Sequence, residues 1–288
     1  MDIALLSLFL FIITTMLYIS GVPVIGKPDL KLNSSNTLTQ DDLANYYTEC
    51  MKKMGIFLLI VICTQLTLNV IYLIDKCQGS AGKNAGAAII YTLIPWVLIF
   101  GMLMAIISAY PGFKSVFSDV IGYFAISGKA SEILTQVLID TNINNAIEKE
   151  KNPIEKKELT SAAEALMKIC GNTSILINQM YPDNFINIWD KMKPLMKKNV
   201  PDMWEKGGPK ELKQQLLDLV VQRENIGEAL WYIYTAMLVS SIVYYNLDTR
   251  GCVRDVNSIK ADYDAYEKEQ EELDKQKALN ESTVYTVS

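Results

Sequence analysis

The 288-residue sequence contains no histidine. Histidine is the most common general base and a frequent metal ligand, so its absence excludes Ser-His-Asp sites, Cys-His sites and histidine-ligated zinc. No two of the five cysteines form a C-x-x-C pair, and the glycine-containing stretch at 79–83 lacks the G-x-x-x-x-G-K spacing of a phosphate loop. We therefore predict a protein that is not an enzyme and that binds no cofactor and no metal.

Positive charge is also scarce, with 27 Lys and Arg against 32 Asp and Glu. A nucleic-acid-binding protein normally carries a basic face, so we expect no nucleic-acid partner. Half of the residues are hydrophobic. They are clustered in long uncharged stretches, while other parts of the chain are highly charged.

Four of these stretches, at residues 3–25, 54–74, 85–110 and 229–247, contain no charged residue. About 20 apolar residues in a helix cross the roughly 30 Å of hydrocarbon in a bilayer. The sequence therefore predicts an all-α, multi-pass membrane protein with about four transmembrane helices. We interpret the first stretch as an uncleaved anchor because no basic residue precedes it, and a cleaved signal peptide is the alternative.

The remaining sequence divides around these spans. Residues 1–110 form a membrane region with three transmembrane helices, and 229–247 form the fourth. Between them, 111–228 has helical periodicity interrupted by turn residues, which predicts a helical extramembrane domain. Its helices are expected at about 133–147, 159–180 and 181–198, with a last one that continues from 209 into the fourth span. Residues 248–288 are a tail with an amphipathic helix and a disordered end. The tail helix is either solvated or a weak coiled coil.

Two pairs of residues suggest contacts between spans. Gln65 and Asn69 share one helix face, which predicts an interhelical polar contact because a lone amide in hydrocarbon is costly. Cys77 and Cys252 each follow a span on the same predicted side, so they could form a disulfide or remain two free thiols. Basic residues near the spans slightly favour the side that carries 111–228, which predicts that this side is cytoplasmic.

The stretch at 109–123, A-Y-P-G-F-K-S-V-F-S-D-V-I-G-Y, directly follows the third span. It resembles the P-G-W-x-x-P-F-S-N-x-x-G-Y pattern of membrane-anchored minor capsid proteins of large icosahedral double-stranded DNA viruses. Phe113 replaces the Trp of that pattern, Val116 the Pro and Asp119 the Asn. The L-I-N-Q at 176–179 is similar to an L-I-N-E segment of the family, and the tyrosine-rich last span followed by G-C-V at 251–253 is similar too.

The resemblance implies a structural protein of the internal viral membrane, derived from a host membrane, that links this membrane to the outer capsid shell during assembly. Its partners would be the lipid bilayer, other capsid proteins and further copies of itself. From the residues alone, Pro111 and Gly112 end the third span. The apolar residues that follow either lie at the bilayer interface or fill a groove of a partner; with the Pro-Gly pair, the interaction candidates are Pro111, Gly112, Phe113, Phe117 and Tyr123. The alternative function is a channel or transporter, or an accessory subunit of one, in a cellular membrane.

Overall fold

The computed structural model describes residues 3–77, 81–138, 172–193, 196, 212–253 and 256–281. Within these ranges the ordered structure is helical and no β-strand is present. The single extended pairing is an isolated antiparallel bridge between Leu138 and Met196. Several helices expected from the sequence lie largely outside the described residues, namely those at 139–147 and 159–171, the end of 181–198, and the start at 209.

The helices follow one another in chain order. They are α1 (Ile3–Ile19), α2 (Gln40–Cys77), α3 (Ala81–Pro95), α4 (Gly101–Ala109), α5 (Ser115–Phe117), α6 (Tyr123–Val137), α7 (Thr173–Gln179), α8 (Phe185–Met192), α9 (Leu212–Thr249) and α10 (Val256–Glu281). One π-helical turn, Trp96–Phe100, joins α3 to α4. A 3₁₀ turn, Pro111–Lys114, precedes α5, and a second π-helical turn, Ser118–Gly122, precedes α6.

Among the residues that the structure describes, three helical stretches are long and apolar enough to cross a membrane: Gln40–Cys77, Gly82–Ala109 and Leu212–Thr249. The first apolar helix is shorter than the predicted segment 3–25. It ends at Ile19, and Gly21 follows with a φ of +74°. Glycine accepts this left-handed conformation without steric cost, so the chain reverses here, and the Lys27 N–H donates to the Tyr18 carbonyl at 2.8 Å.

Proline alters the third apolar stretch. The helix α3 ends at Pro95, which has no N–H to donate, and the π-helical turn follows at once. The sequence predicts a kink at Pro95, and the irregular turn occurs at that position. The helix α10 lies within the tail 248–288, where the sequence predicts an amphipathic helix.

The buried residues form two separate cores. The bundle core joins α1, α2, the α3–α4 stretch and the second half of α9, and includes Phe11, Phe57, Trp96, Phe100 and Tyr232. The head core joins α6, α7, α8, the first half of α9, the start of α2 and the loop before it, and includes Ile133, Ile177, Phe185, Trp189 and Leu216.

Two 38-residue helices contribute to both cores: α9, and α2, which places Leu43 in the head core and Phe57 in the bundle core. In α9, Leu216 lies in the head core, while Val239 and Val243 lie in the bundle core. At 1.5 Å per residue each of the two helices is about 57 Å long. Because each of these helices runs through both cores without a break, the two cores cannot rotate relative to each other without distorting a helix.

Candidate functional site

Residues 110–124, here called the exit segment, connect the apolar bundle to the head core. Tyr110 has φ −126° and ψ 81°, a non-helical conformation that ends α4. The following turns place residues 111–122 against α9. This segment contains the pattern on which the family resemblance rests, so its contacts show which residues of the pattern are packed within the chain and which are exposed.

Two aromatic residues of the exit segment pack on a tryptophan of α9. The ring of Phe113 stacks on Trp231 with 4.6 Å between centroids, and Phe117 meets the same ring edge-on at 4.9 Å. The Trp231 indole N–H also donates to the Phe113 carbonyl oxygen at 3.0 Å. Phe113 and Phe117 therefore make an intramolecular contact, in addition to any contact made by their remaining exposed surface.

Two glycines let the exit segment lie directly against α9. A Cβ atom added at Gly122 would be 2.6 Å from the Arg223 carbonyl oxygen, and one added at Gly227 would be 2.8 Å from the Ser118 backbone nitrogen. Real Cβ atoms do not approach backbone so closely, which means that no other residue fits at either position without a shift. The backbones of the two elements are in contact because both glycines lack a side chain.

Arg223, on the face of α9 below the head core, is completely buried. Its guanidinium donates to the carbonyl oxygens of Ile177 and Met180, the second at 2.9 Å, and to the Glu224 carboxylate at 2.9 Å. It also lies over the Tyr181 ring, 5.1 Å from the centroid. A planar guanidinium can serve several acceptors at once, so this one side chain fixes the end of α7 on α9.

The L-I-N-Q stretch belongs to the same site. Leu176 and Ile177 are buried in the head core, and the Asn178 side-chain amide donates to the Asp119 carbonyl oxygen at 2.9 Å. Thus the exit segment, the 176–179 stretch and α9 meet in space although they are far apart in sequence. The G-C-V stretch at 251–253 lies beyond the other end of α9.

Glu228 is the centre of a buried ionic group, here called the Glu228 cluster. Its Oε2 atom lies 2.8 Å from the Lys27 ammonium nitrogen and 3.0 Å from that of Lys114, and its Oε1 accepts from the Tyr232 hydroxyl at 2.9 Å. Lys27 also donates to the Asn225 amide oxygen at 3.0 Å. The cluster joins the loop after α1, the 3₁₀ turn of the exit segment and α9.

The charge state of Glu228, which precedes the predicted span 229–247, follows from its neighbours. Burial alone would raise the pKa of this carboxyl group. The two lysine cations outweigh this effect and bring the pKa down to about 2. Glu228 is therefore a carboxylate at neutral pH and has no proton to donate, so the cluster is suited to holding three chain segments together and not to acid catalysis.

The opposite side of the exit segment faces away from α9. Val116, Val120 and Phe124 recur every fourth residue and are exposed, Phe124 by 82% of its surface. These three residues and the exposed Tyr110 are together called the outer face here. Of the interaction candidates predicted from the sequence, Pro111 and Gly112 are exposed, while Tyr123 is partly buried against the head core.

The predicted interhelical polar residues are on the inner side of α2. Gln65 is buried and exchanges two hydrogen bonds with Ser7 of α1: its amide donates to the Ser7 carbonyl oxygen at 3.2 Å, and the Ser7 hydroxyl donates to its Oε1. Asn69 is also buried.

At the far end of α9 the structure joins Cys77 to Cys252 in a disulfide, with 5.2 Å between the Cα atoms. The neighbouring Lys76 pairs with Asp248 at 2.9 Å. The Asn84 side chain donates to, and accepts from, the backbone of Val253, at 3.1 and 3.2 Å. The end of α2, the start of α3 and the chain beyond α9 are thus connected by one covalent bond and several polar contacts.

Sequence reasoning did not identify the Glu228 cluster or the role of Arg223. The available signal was three charged residues, Arg223, Glu224 and Glu228, on one helix immediately before an uncharged span. A solvated helix start has the same appearance, and the partner Lys27 is about 200 residues away in the chain. Among the residues that the structure describes, no group of three or more Cys, Asp or Glu side chains is arranged to hold a metal ion.

Comparison with known proteins gives no relative. No family model matches the chain, and neither a curated protein nor a solved structure matches it.

Proposed function

We propose that this protein is a non-enzymatic minor capsid protein that links the internal membrane of a large icosahedral double-stranded DNA virus to its outer shell. The observation that carries the proposal is the exit segment. It retains the family-like pattern, it is fixed to α9 by two close glycine contacts and a tryptophan, and it presents an exposed apolar outer face.

In the proposed arrangement, α1, α2, the α3–α4 stretch and α9 cross the bilayer, and residues 111–228 form the extramembrane domain. The Glu228 cluster then lies at one bilayer surface, and the Cys77–Cys252 disulfide lies beyond the other. Disulfides persist in oxidising compartments, so this end would be lumenal and the domain cytosolic before assembly. A membrane taken from the endoplasmic reticulum would turn its cytosolic surface, with the domain, towards the shell.

A linker between membrane and shell must transmit force without internal slippage. The Glu228 cluster and Arg223 suit this task, because they join the head core to the bundle core through buried ion pairs and hydrogen bonds on one helix. An isolated exposed apolar residue is ordinary. A row of three, on a segment that is itself held rigidly, is typical of a protein contact site.

The decisive experiment is site-specific photocross-linking in intact particles. A photoreactive amino acid at Val120 or Phe124 should form adducts with a shell protein. The same amino acid at Ile259 in α10, which is also apolar and more than half exposed but lies on the other predicted side, should not. Equal adducts from all three positions, absence of the protein from purified virions, or its presence in membranes of uninfected cells would each refute the proposal.

The alternative of a channel or transporter requires a polar pathway between spans. The Gln65 side chain is buried and exchanges two hydrogen bonds with Ser7, so it forms a contact between α1 and α2, which favours an anchoring role. Ion flux through reconstituted protein that is lost in Gln65→Leu would reverse this preference.

A further inference from the structure

A cavity of about 250 Å³ lies beside the Glu228 cluster, between α2, the 3₁₀ turn Pro111–Lys114, the turn at 181–183 and α9. Ligand pockets for drug-sized molecules are usually larger, at about 300–1,000 Å³. This cavity is therefore of a size for a small polar group. The residues that carry its chemistry are Lys27, Lys114, Tyr46, Tyr47, Asp183 and Glu224.

The part of the cavity nearest the bundle core is lined by two ammonium groups. Lys27 is buried and Lys114 is largely buried, with 18% of its side chain exposed. Both pair with the same oxygen of Glu228, whose other oxygen accepts from Tyr232. Since each ammonium has three N–H donors, this pair retains hydrogen-bonding capacity for a further anionic oxygen.

The rim has the opposite character. The rings of Tyr46 and Tyr47 stand at 60° to each other with centroids 5.3 Å apart, and Tyr181 lines the same cavity. The Tyr47 hydroxyl donates to the exposed Asp183 carboxylate at 3.0 Å, which holds this carboxylate beside the rings. Aromatic faces together with a carboxylate are the usual recognition elements for an alkylated ammonium ion.

The lysine-lined part and the aromatic rim of the cavity lie at different distances from the apolar part of the helices. Tyr47 precedes Met54, where the uncharged stretch of α2 begins, by seven residues, or about 10 Å along the helix. Lys27 and Lys114 pair with Glu228, one residue before the predicted span 229–247, so they lie nearer the predicted bilayer than the Tyr47–Asp183 pair does. The cavity contains two lysines and three carboxylates, Asp183, Glu224 and Glu228, so a simple anion would be poorly matched.

We propose that this cavity binds the headgroup of a zwitterionic phospholipid, with the phosphate at Lys27 and Lys114 and the ammonium at Tyr46, Tyr47 and Asp183. A phospholipid in the adjoining leaflet has its phosphate nearer the hydrocarbon and its ammonium nearer the water, which is the order of the two lining groups. The acyl chains stay in the bilayer beside Met51 and Met54. This site is independent of the capsid role.

The test is native mass spectrometry of the purified full-length protein with phosphatidylcholine and phosphatidylglycerol of identical acyl chains. We expect the wild type to retain phosphatidylcholine in several-fold excess. Asp183→Asn should bring the ratio close to one, because it removes the rim carboxylate. Asp190→Asn is the matched control: Asp190 is exposed, pairs with Lys193 just beyond the end of α8, and is not among the residues that line the cavity, so its ratio should equal that of the wild type.

A competition measurement distinguishes a phospholipid from a soluble ligand with the same headgroup. Free phosphocholine at the concentration of the lipid should displace little phosphatidylcholine, because it lacks the chains that hold the headgroup at the cavity. Full displacement would show a site for a soluble ligand and would overturn the lipid assignment. Equal or greater retention of phosphatidylglycerol by the wild type, or an Asp183→Asn ratio equal to that of Asp190→Asn, would overturn the zwitterion site.

Discussion

Replacing Gly227 by alanine tests whether the exit segment and α9 are in backbone contact. The new Cβ would meet the backbone nitrogen of Ser118 at 2.8 Å and its Cβ at the same distance. Backbone cannot rotate away as a flexible side chain can, so either α9 or the exit segment must move. Overpacking of this kind costs about 1–3 kcal/mol. Alanine regains roughly 0.5–1 kcal/mol of helix propensity, which leaves a net loss of about 1–2 kcal/mol.

Gly128 provides the matched control within α6. An added Cβ there meets nothing within 4 Å, so Gly128→Ala gains the propensity term alone and should stabilise the protein by about 0.5–1 kcal/mol. The two variants carry the same chemical change in a helix and differ only in the neighbouring atoms. Because the propensity gain is the same in both, their stabilities should differ by the overpacking cost, about 1–3 kcal/mol, or roughly 2 °C or more in melting temperature.

The assay is thermal unfolding of both variants and the wild type in one detergent, followed by tryptophan fluorescence. Trp231 lies in the contact between α9 and the exit segment and should report on its separation. Gly122→Ala, which would bring a Cβ within 2.6 Å of a backbone oxygen, should behave like Gly227→Ala. If Gly227→Ala melts at or above the temperature of Gly128→Ala, the close approach described for the exit segment is wrong.

Three further predictions concern the Glu228 cluster, Arg223 and the disulfide. Glu228→Gln leaves two lysines buried without their carboxylate and should cost about 3–5 kcal/mol, whereas Glu49→Gln, in an exposed pair, should cost about 1 kcal/mol or less in the same thermal assay. Arg223→Lys should also destabilise, by about 2 kcal/mol, because an ammonium cannot reproduce the guanidinium's bonds to two carbonyls and a carboxylate; wild-type stability would contradict this. Cys77→Ser should lower stability by about 2–4 kcal/mol and remove the peptide linked to Cys252 from mass spectra of the unreduced protein, while a wild type without that linked peptide would lack the bond.

The sequence alone predicts those helices that are marked by apolar residues close together along the chain. The uncharged stretches give three helices long enough to cross a membrane, and the amphipathic pattern of the tail gives the helix Val256–Glu281. Each of these predictions depends only on the spacing of residues that are neighbours in the sequence. The end of α1 at Ile19 was missed because Gly21, with its positive φ, interrupts an otherwise uncharged run through residue 25.

The candidate site could not be obtained in this way, because its partners are distant in sequence. Phe113 and Phe117 are four residues apart, which places them on one helical face but does not say which face is covered. Trp231, more than a hundred residues later, covers that face, and Val120 and Phe124 remain on the other. From the apolar pattern of the exit segment alone, either side could be the exposed one. The position of α9 determines which side is covered.

In the proposed placement, α9 is held at both ends of its apolar part. At one end Glu228 is bound to two lysines from other segments, and at the other Asp248 is bound to Lys76 next to the disulfide. Twenty residues separate Glu228 from Asp248, or about 30 Å along the helix, which is the thickness of the hydrocarbon layer. A helix with polar anchors at this spacing cannot slide through the bilayer without drawing an ion pair into hydrocarbon. A force on the outer face would therefore be transmitted to the whole bundle instead of shifting α9 alone, and this is the mechanical property that a link between a membrane and a shell requires.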